Sequence, residues 1–141
     1  MSGRELLRPV VLVGPPGAGK STLGARAARS LRVPFVDLDE AIERAAGRSV
    51  SALFAAEGEL GFRVAELVAL ERALLDGCPK VIAAGGGATM TAAARERLSR
   101  HARVVLVDVR ADVAHVRLAG SAPRPLLGEE PGRWPATFEA L

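Results

Sequence analysis

Residues 14–22 read Gly14-Pro15-Pro16-Gly17-Ala18-Gly19-Lys20-Ser21-Thr22, three glycines, an alanine and two prolines followed by one lysine and two hydroxyls. Polyphosphate needs many aimed donors and little steric bulk. Glycines let successive backbone N–H groups turn inward around an anion, and a helix starting near Lys20 presents its positive N-terminal end to it. In the spacing G-x-x-x-x-G-K-[ST] the lysine neutralises charge on the β- and γ-phosphates, and the Ser21 hydroxyl is positioned to ligate the Mg²⁺ that rides with them. Gly17, Ala18, Gly19, Lys20, Ser21 and Thr22 are therefore the expected contacts of a nucleoside triphosphate. The chain carries 19 basic residues, and only Lys20 and Lys80 among them are not arginine, so a composition that avoids lysine has kept one here. A glycine-rich turn without a ligand is the alternative; the apolar run Pro9 to Val13 before it and the helical pattern after it favour the phosphate site.

Further along, Asp37-Leu38-Asp39 sits at the end of a short apolar run. In extended geometry the two carboxylates point to opposite sides, so one could face a metal and the other an acceptor hydroxyl. Both could equally be solvated, or Asp39 could cap the next helix. Arg63 follows Phe62, and its guanidinium could clamp a carboxylate bidentately; an intrahelical pair with Glu66, three residues on, is the alternative. Gly85-Gly86-Gly87 allows a ligand to approach the backbone closely, or forms a tight turn. Arg124, between two prolines, could swing onto a transferring phosphate or be a solvated loop residue.

The elements that must hold these groups follow from the pattern. Val10–Val13 is short, β-branched and bounded by glycine, as a buried parallel strand would be. After the phosphate loop Leu23, Ala27, Ala28 and Leu31 recur at helical spacing, with Arg26, Arg29 and Arg32 facing away and Pro34 ending the helix. Phe35-Val36 reads as a second strand delivering Asp37 and Asp39 at its C-terminal end, where open α/β sheets receive ligands. From Glu40 to Gly77 the pattern is helical, punctuated at Gly47, Gly58 and Gly77, the last two expected as helix C-caps. Val81–Ala84 and Val104–Val109 read as two more strands, the first ending at the triple glycine. Strands alternating with helices predict an α/β fold, a three-layer parallel sheet with helices on both faces. The expected organisation is one domain over 1–141: a nucleotide-binding core at 1–37 and 77–119, a helical substrate-binding insertion at 38–76 and a lid loop at 120–135, rich in proline.

Composition excludes several classes. The sequence is 49% hydrophobic and 25% charged, ordinary for a globular protein of 141 residues. No apolar run reaches the length of a membrane span and the N-terminus lacks a signal-peptide pattern, so the expectation is a cytoplasmic protein without a membrane. Cys78 is alone and His101 and His115 are the only histidines, which leaves no structural zinc set. The net charge of +3 is spread over scattered arginines with few aromatics, so small anionic ligands are expected and nucleic acid is not. There is no Asn anywhere, which removes the usual guanine-reading loop.

Taken in order, Gly14 to Thr22, Asp37-Leu38-Asp39, Gly58-Glu59 with Phe62-Arg63, Gly85-Gly86-Gly87 and Arg124-Pro125-Leu126-Leu127 resemble the motifs of shikimate kinases, in the nucleoside-monophosphate-kinase-like P-loop group. The resemblance implies an enzyme that moves the γ-phosphoryl of MgATP to the 3-hydroxyl of shikimate, in the pathway to aromatic amino acids. It implies Lys20 on the phosphates, Ser21 and Asp37 at Mg²⁺, Asp39 on the shikimate hydroxyls and on the proton of the attacking one, and Arg63 on the carboxylate. Gly85, Gly86 and Gly87 would contact the ring, Arg124 would be the lid arginine and Arg117 would lie beside the adenine. The catalytic set is then Lys20, Asp39 and Arg124. The family pattern continues past Leu141 through a helix, a second carboxylate-binding arginine, a last strand and a final helix. The expectation is that the last strand and helix are missing, leaving a monomer able to self-associate through an exposed sheet edge. Two alternatives are another small-molecule P-loop kinase, acting on gluconate or a nucleotide, and a catalytically weak nucleotide-binding protein owing to the short C-terminus.

Overall fold

A computed structural model describes residues 8–15, 19–85 and 87–107. Among these residues four parallel strands, β1 (Val10–Val13), β2 (Phe35–Asp37), β3 (Val81–Ala83) and β4 (Arg103–Leu106), form a sheet in the order β2-β3-β1-β4. Val11 is the hub of the register, opposite Ile82 on one side and Val104 on the other, and Val36 lies opposite Ile82. Because the strands are parallel, the C-terminal ends of β1, β2 and β3 share one edge of the sheet, and the segments that follow them meet there.

Among the described residues four helices cover the sheet: α1 (Lys20–Leu31), α2 (Leu38–Ala46), α3 (Val50–Leu75) and α4 (Ala92–His101). One apolar cluster joins Val11, Val13 and Ile82 of the sheet to Leu38, Ile42, Leu53, Phe62, Leu70, Ala94 and Leu98 of α2, α3 and α4. A smaller one joins Leu12 and Val81 to Ala28 of α1, with Phe35 and Val33 against it. Helices therefore lie on both faces, the three-layer arrangement expected from the strand and helix alternation.

The local chemistry explains the boundaries and corrects some of them. Helix α1 buries Gly24 and Ala28, while Leu23 and Leu31 stay exposed. The apolar spacing had put those leucines on the buried face. Gly24 wins because the helix is pressed onto the sheet: a β-carbon there would stand 2.6 Å from Phe35 Cε2. The helix also ends before Pro34. Arg32 takes the left-handed conformation, φ 56°, and its N–H caps the carbonyls of Ala28 and Arg29. Gly47 is the glycine that closes α2, at φ 68° with its N–H on Glu43 O. Gly58 is a kink inside α3, φ 71° and ψ −174°, with helix resuming directly after it, so it re-aims the chain where a C-cap was expected. Gly77, φ 75°, follows the Asp76 cap of α3.

Strand β4 begins at Arg103 and is exposed along its length, with Leu106 at 70%. Among the described residues it pairs with β1 alone, which leaves its second side as a sheet edge; residues 108 and 109 of the expected strand lie outside the described residues.

Candidate functional site

Strand β1 hands the chain to Gly14, whose φ of 148° suits glycine, and a β-carbon there would run into the carbonyl of Val107. Helix α1 then starts from Gly19 in the left-handed conformation, φ 84°, with no side-chain cap on its first turn. That turn keeps the N–H groups and positive end that an anion would use. The Lys20 ammonium donates to Gly14 O at 2.7 Å and Pro15 O at 3.0 Å, so it lies folded across the loop. Ser21 Oγ donates to Asp37 Oδ2 at 2.8 Å, which brings together two oxygen ligands from α1 and from the end of β2. Hard oxygen donors of this kind suit Mg²⁺ when phosphates supply the remaining positions. Thr22 is exposed in the same turn. Gly17 and Ala18 lie outside the described residues.

Asp37 is the last residue of β2 and also the N-cap of α2, its Oδ1 accepting from Glu40 N at 3.3 Å. Asp39 is consequently in the first helical turn. The expectation that the two carboxylates alternate along an extended strand is corrected: helix geometry begins at Leu38, and this aims Asp39 toward the turn after β3. A β-carbon on Gly85 would stand 3.3 Å from Asp39 Oδ1 and 3.4 Å from Glu66 Oε2. One on Gly87 would collide with the guanidinium of Arg63, which lies directly against that backbone. A side chain at Gly87 would force the guanidinium to move, and one at Gly85 would ask a smaller shift of the neighbouring carboxylates.

Arg63 and Glu66 form the intrahelical pair, Nη1 to Oε1 at 2.7 Å, yet it is no surface pair. Arg63 is 8% exposed and Glu66 3%. Of the two alternatives set out for Arg63, the pair with Glu66 is the one the structure contains, and it engages Nη1. Among the described residues Arg63 Nε is buried with no hydrogen-bond partner, and Glu59 Oε1 stands 3.9 Å from it. Nη2 has the Met90 Sδ at 3.8 Å, a weak acceptor. Buried donors are nearly always satisfied, so a guanidinium held in this state is suited to an incoming anion. Burial pushes the Glu66 carboxyl above its ordinary value; Arg63 opposes this, and the nearby Asp39 charge adds to it.

Glu66 is the residue sequence reasoning missed as a member of the site. A signal existed: Phe62, Glu66, Leu70 and Leu74 recur every fourth residue and all are buried, so the glutamate interrupts an apolar stripe. Gly86, Arg117, Arg124 and the lid loop at 120–135 lie outside the described residues. Among the described residues no helix is long and apolar enough to cross a membrane, and no three His, Cys, Asp or Glu side chains cluster as a ready-made metal site.

The geometry thus joins a glycine-bounded loop, a Ser–Asp oxygen pair and a half-buried Asp39 beside the buried Arg63–Glu66 pair at one end of a parallel sheet. A family model described as shikimate kinase matches residues 16–139. A shikimate kinase of Rhodopseudomonas palustris is 46% identical over 120 residues, which cover 85% of this chain and 59% of the relative. One of Cereibacter sphaeroides is 44% identical over 87% of this chain and 61% of the relative. The chain therefore spans about three fifths of the length of these curated relatives. Among solved structures, the shikimate kinase of Acinetobacter baumannii in complex with shikimate superposes with a TM-score of 0.89 at 36% identity, covering 96% of this chain and 76% of that one. With a family model matched along nearly all of its length and relatives at this identity, the chain belongs to the shikimate kinase family.

Proposed function

We propose that the chain is a shikimate kinase, transferring the γ-phosphoryl group of ATP to the 3-hydroxyl of shikimate. The observation that carries this reading is the convergence of Asp39, Arg63 and Glu66 on the backbone of Gly85 and Gly87. A carboxylate able to accept a proton beside a guanidinium with unmet donors suits an acceptor that carries hydroxyls and a carboxylate together. The shikimate named in the Acinetobacter baumannii complex is such a molecule, and the family membership supports carrying it over.

In this reading the nucleotide phosphates lie on the loop from Gly14 to Thr22, with backbone N–H groups of Gly17, Ala18 and Gly19 around them and the Lys20 ammonium neutralising the β- and γ-phosphates. Mg²⁺ bound with the nucleotide would screen phosphate charge, and Ser21 Oγ and Asp37 Oδ2 are the oxygens that would hold it. Arg63, oriented by Glu66, grips the acceptor carboxylate, while Gly85, Gly86 and Gly87 allow the ring to sit against the backbone. Asp39 then accepts the proton of the attacking hydroxyl as its oxygen bonds to the γ-phosphorus. The bond from that phosphorus to the bridging β-oxygen breaks, and ADP leaves. Arg124 is assigned to the transferring phosphoryl and Arg117 to the adenine. ATP and shikimate as substrates fit a cytoplasmic enzyme acting in the route to aromatic amino acids, with no nucleic-acid or membrane partner.

The test is release of ADP from MgATP in the presence of shikimate, gluconate or a nucleoside monophosphate. Shikimate-dependent release alone supports the proposal. Equal turnover with gluconate or a nucleotide would favour a different small-molecule kinase, and ATP binding without turnover on any acceptor would favour a nucleotide-binding protein.

A further inference from the structure

The chain has two methionines, Met1 and Met90. Met90 sits in the turn after the triple glycine, tied down by its N–H to Gly87 O at 3.0 Å. Its side chain is 44% exposed, and its sulfur lies 3.8 Å from Arg63 Nη2. The guanidinium has little room to retreat from it, because the Gly87 backbone lies close to Nη1 and Nη2 and Glu66 holds Nη1 at 2.7 Å. A thioether is a weak acceptor and a soft, movable cover. A sulfoxide in the same place is polar and carries a strong acceptor oxygen.

We propose that Met90 is a redox modification site that controls access of the substrate carboxylate to Arg63. A hydroperoxide delivers one oxygen atom to the sulfur: with hydrogen peroxide, thioether and peroxide become sulfoxide and water, the sulfur losing two electrons and the peroxide gaining them. The new S=O oxygen accepts a hydrogen bond from Arg63 Nη2 and competes with the carboxylate for that donor. The switch rests on the reading of Arg63 as the carboxylate site. It acts on the acceptor and leaves the nucleotide alone, since the phosphate loop is built from Gly14 to Thr22.

Treatment with hydrogen peroxide, followed by mass spectrometry of the Met90 peptide and calorimetric titration of shikimate and of MgATP, tests this. Losing one charge-assisted hydrogen bond predicts shikimate binding weakened on the order of tenfold, with MgATP affinity unchanged. Methionine sulfoxide reductase should restore it. Met90→Leu, which keeps the bulk and lacks the sulfur, should show no response to peroxide. Cys78→Ser should respond as the parent chain does, which removes the exposed thiol as the cause. Full oxidation of Met90 with unchanged shikimate affinity overturns the switch, as does a peroxide response that persists in Met90→Leu. If the untreated chain binds no shikimate, the functional reading fails by itself. The Arg63 side-chain nitrogen resonances still judge the switch, because they must shift on oxidation, and their constancy overturns it.

Discussion

The two halves of the site are built from different materials. In the proposed reading the nucleotide half is backbone and sequence-local: one loop and one helix start, tied to the end of β2 by the contact of Ser21 with Asp37. The acceptor half is made of side chains from two helices and one turn, with a buried ion pair against glycine backbone. A phosphate can be held by whatever N–H groups a tight loop presents, so few contiguous residues suffice. A small polyol bearing a carboxylate has to be recognised by charges placed from several directions, and only packing can do that. Mutations should therefore damage the halves in different ways, the first in phosphoryl transfer and the second in acceptor binding.

The largest effect expected is that of Lys20→Ala. Removing a cation from the transferring phosphates costs about 3 kcal/mol or more, roughly a hundredfold or greater loss of kcat. The fold should survive, because the ammonium donates to the carbonyls of Gly14 and Pro15 at the loop and supports no part of the apolar core, and circular dichroism with a thermal melt checks this. Asp39→Asn comes next. Loss of a general base lowers kcat by about a hundredfold, while ATP binding stays near that of the parent. Steady-state kinetics in both substrates would separate the two, and an equal loss of ATP affinity would remove Asp39 from the acceptor side.

Arg63→Lys and Gly87→Ala should act more gently, through binding. A lysine cannot reproduce the fork that serves Glu66 and a carboxylate together, and a methyl at Gly87 displaces the guanidinium. Each should raise the shikimate KM by about tenfold or more, with smaller changes in kcat.

The smallest effect concerns Glu66 and pH. Its carboxyl is raised above the ordinary 4.5, chiefly by burial, so the folded chain retains a proton that the unfolded chain has released. Protonation therefore adds stability as pH falls through the raised value toward 4.5, and that contribution is absent at higher pH. Glu66→Gln should abolish this slope in urea unfolding measured across the window. Asp76 behaves oppositely: Lys80 holds its carboxyl below the ordinary 3.8, so its contribution is present above that value and is lost only as pH falls further.

What could be read from the sequence follows the same division. The strands that begin at Val10 and Phe35, the helix that starts at Lys20 and the parallel three-layer fold are encoded by neighbours in the chain, and they were legible. The aim of Asp39 was not, because one residue decides whether a strand continues or a helix begins, and Asp37 acting as N-cap settled it for the helix. Nor was the buried state of the Arg63–Glu66 pair, since the same i,i+3 spacing serves exposed pairs, and only the kinked α3 over the β3 turn desolvates it. The face of α1 was misjudged for a similar reason: apolar spacing cannot tell that Phe35 needs the room left by Gly24.

The most direct test of a two-part site is crossed calorimetry, with MgATP and shikimate titrated separately into the parent chain, Lys20→Ala and Gly87→Ala. Independent construction of the halves predicts that Lys20→Ala weakens MgATP and spares shikimate, while Gly87→Ala weakens shikimate by about tenfold or more and spares MgATP. Equal losses for both ligands in either variant, or a Gly87→Ala chain that binds shikimate as the parent does, would contradict it.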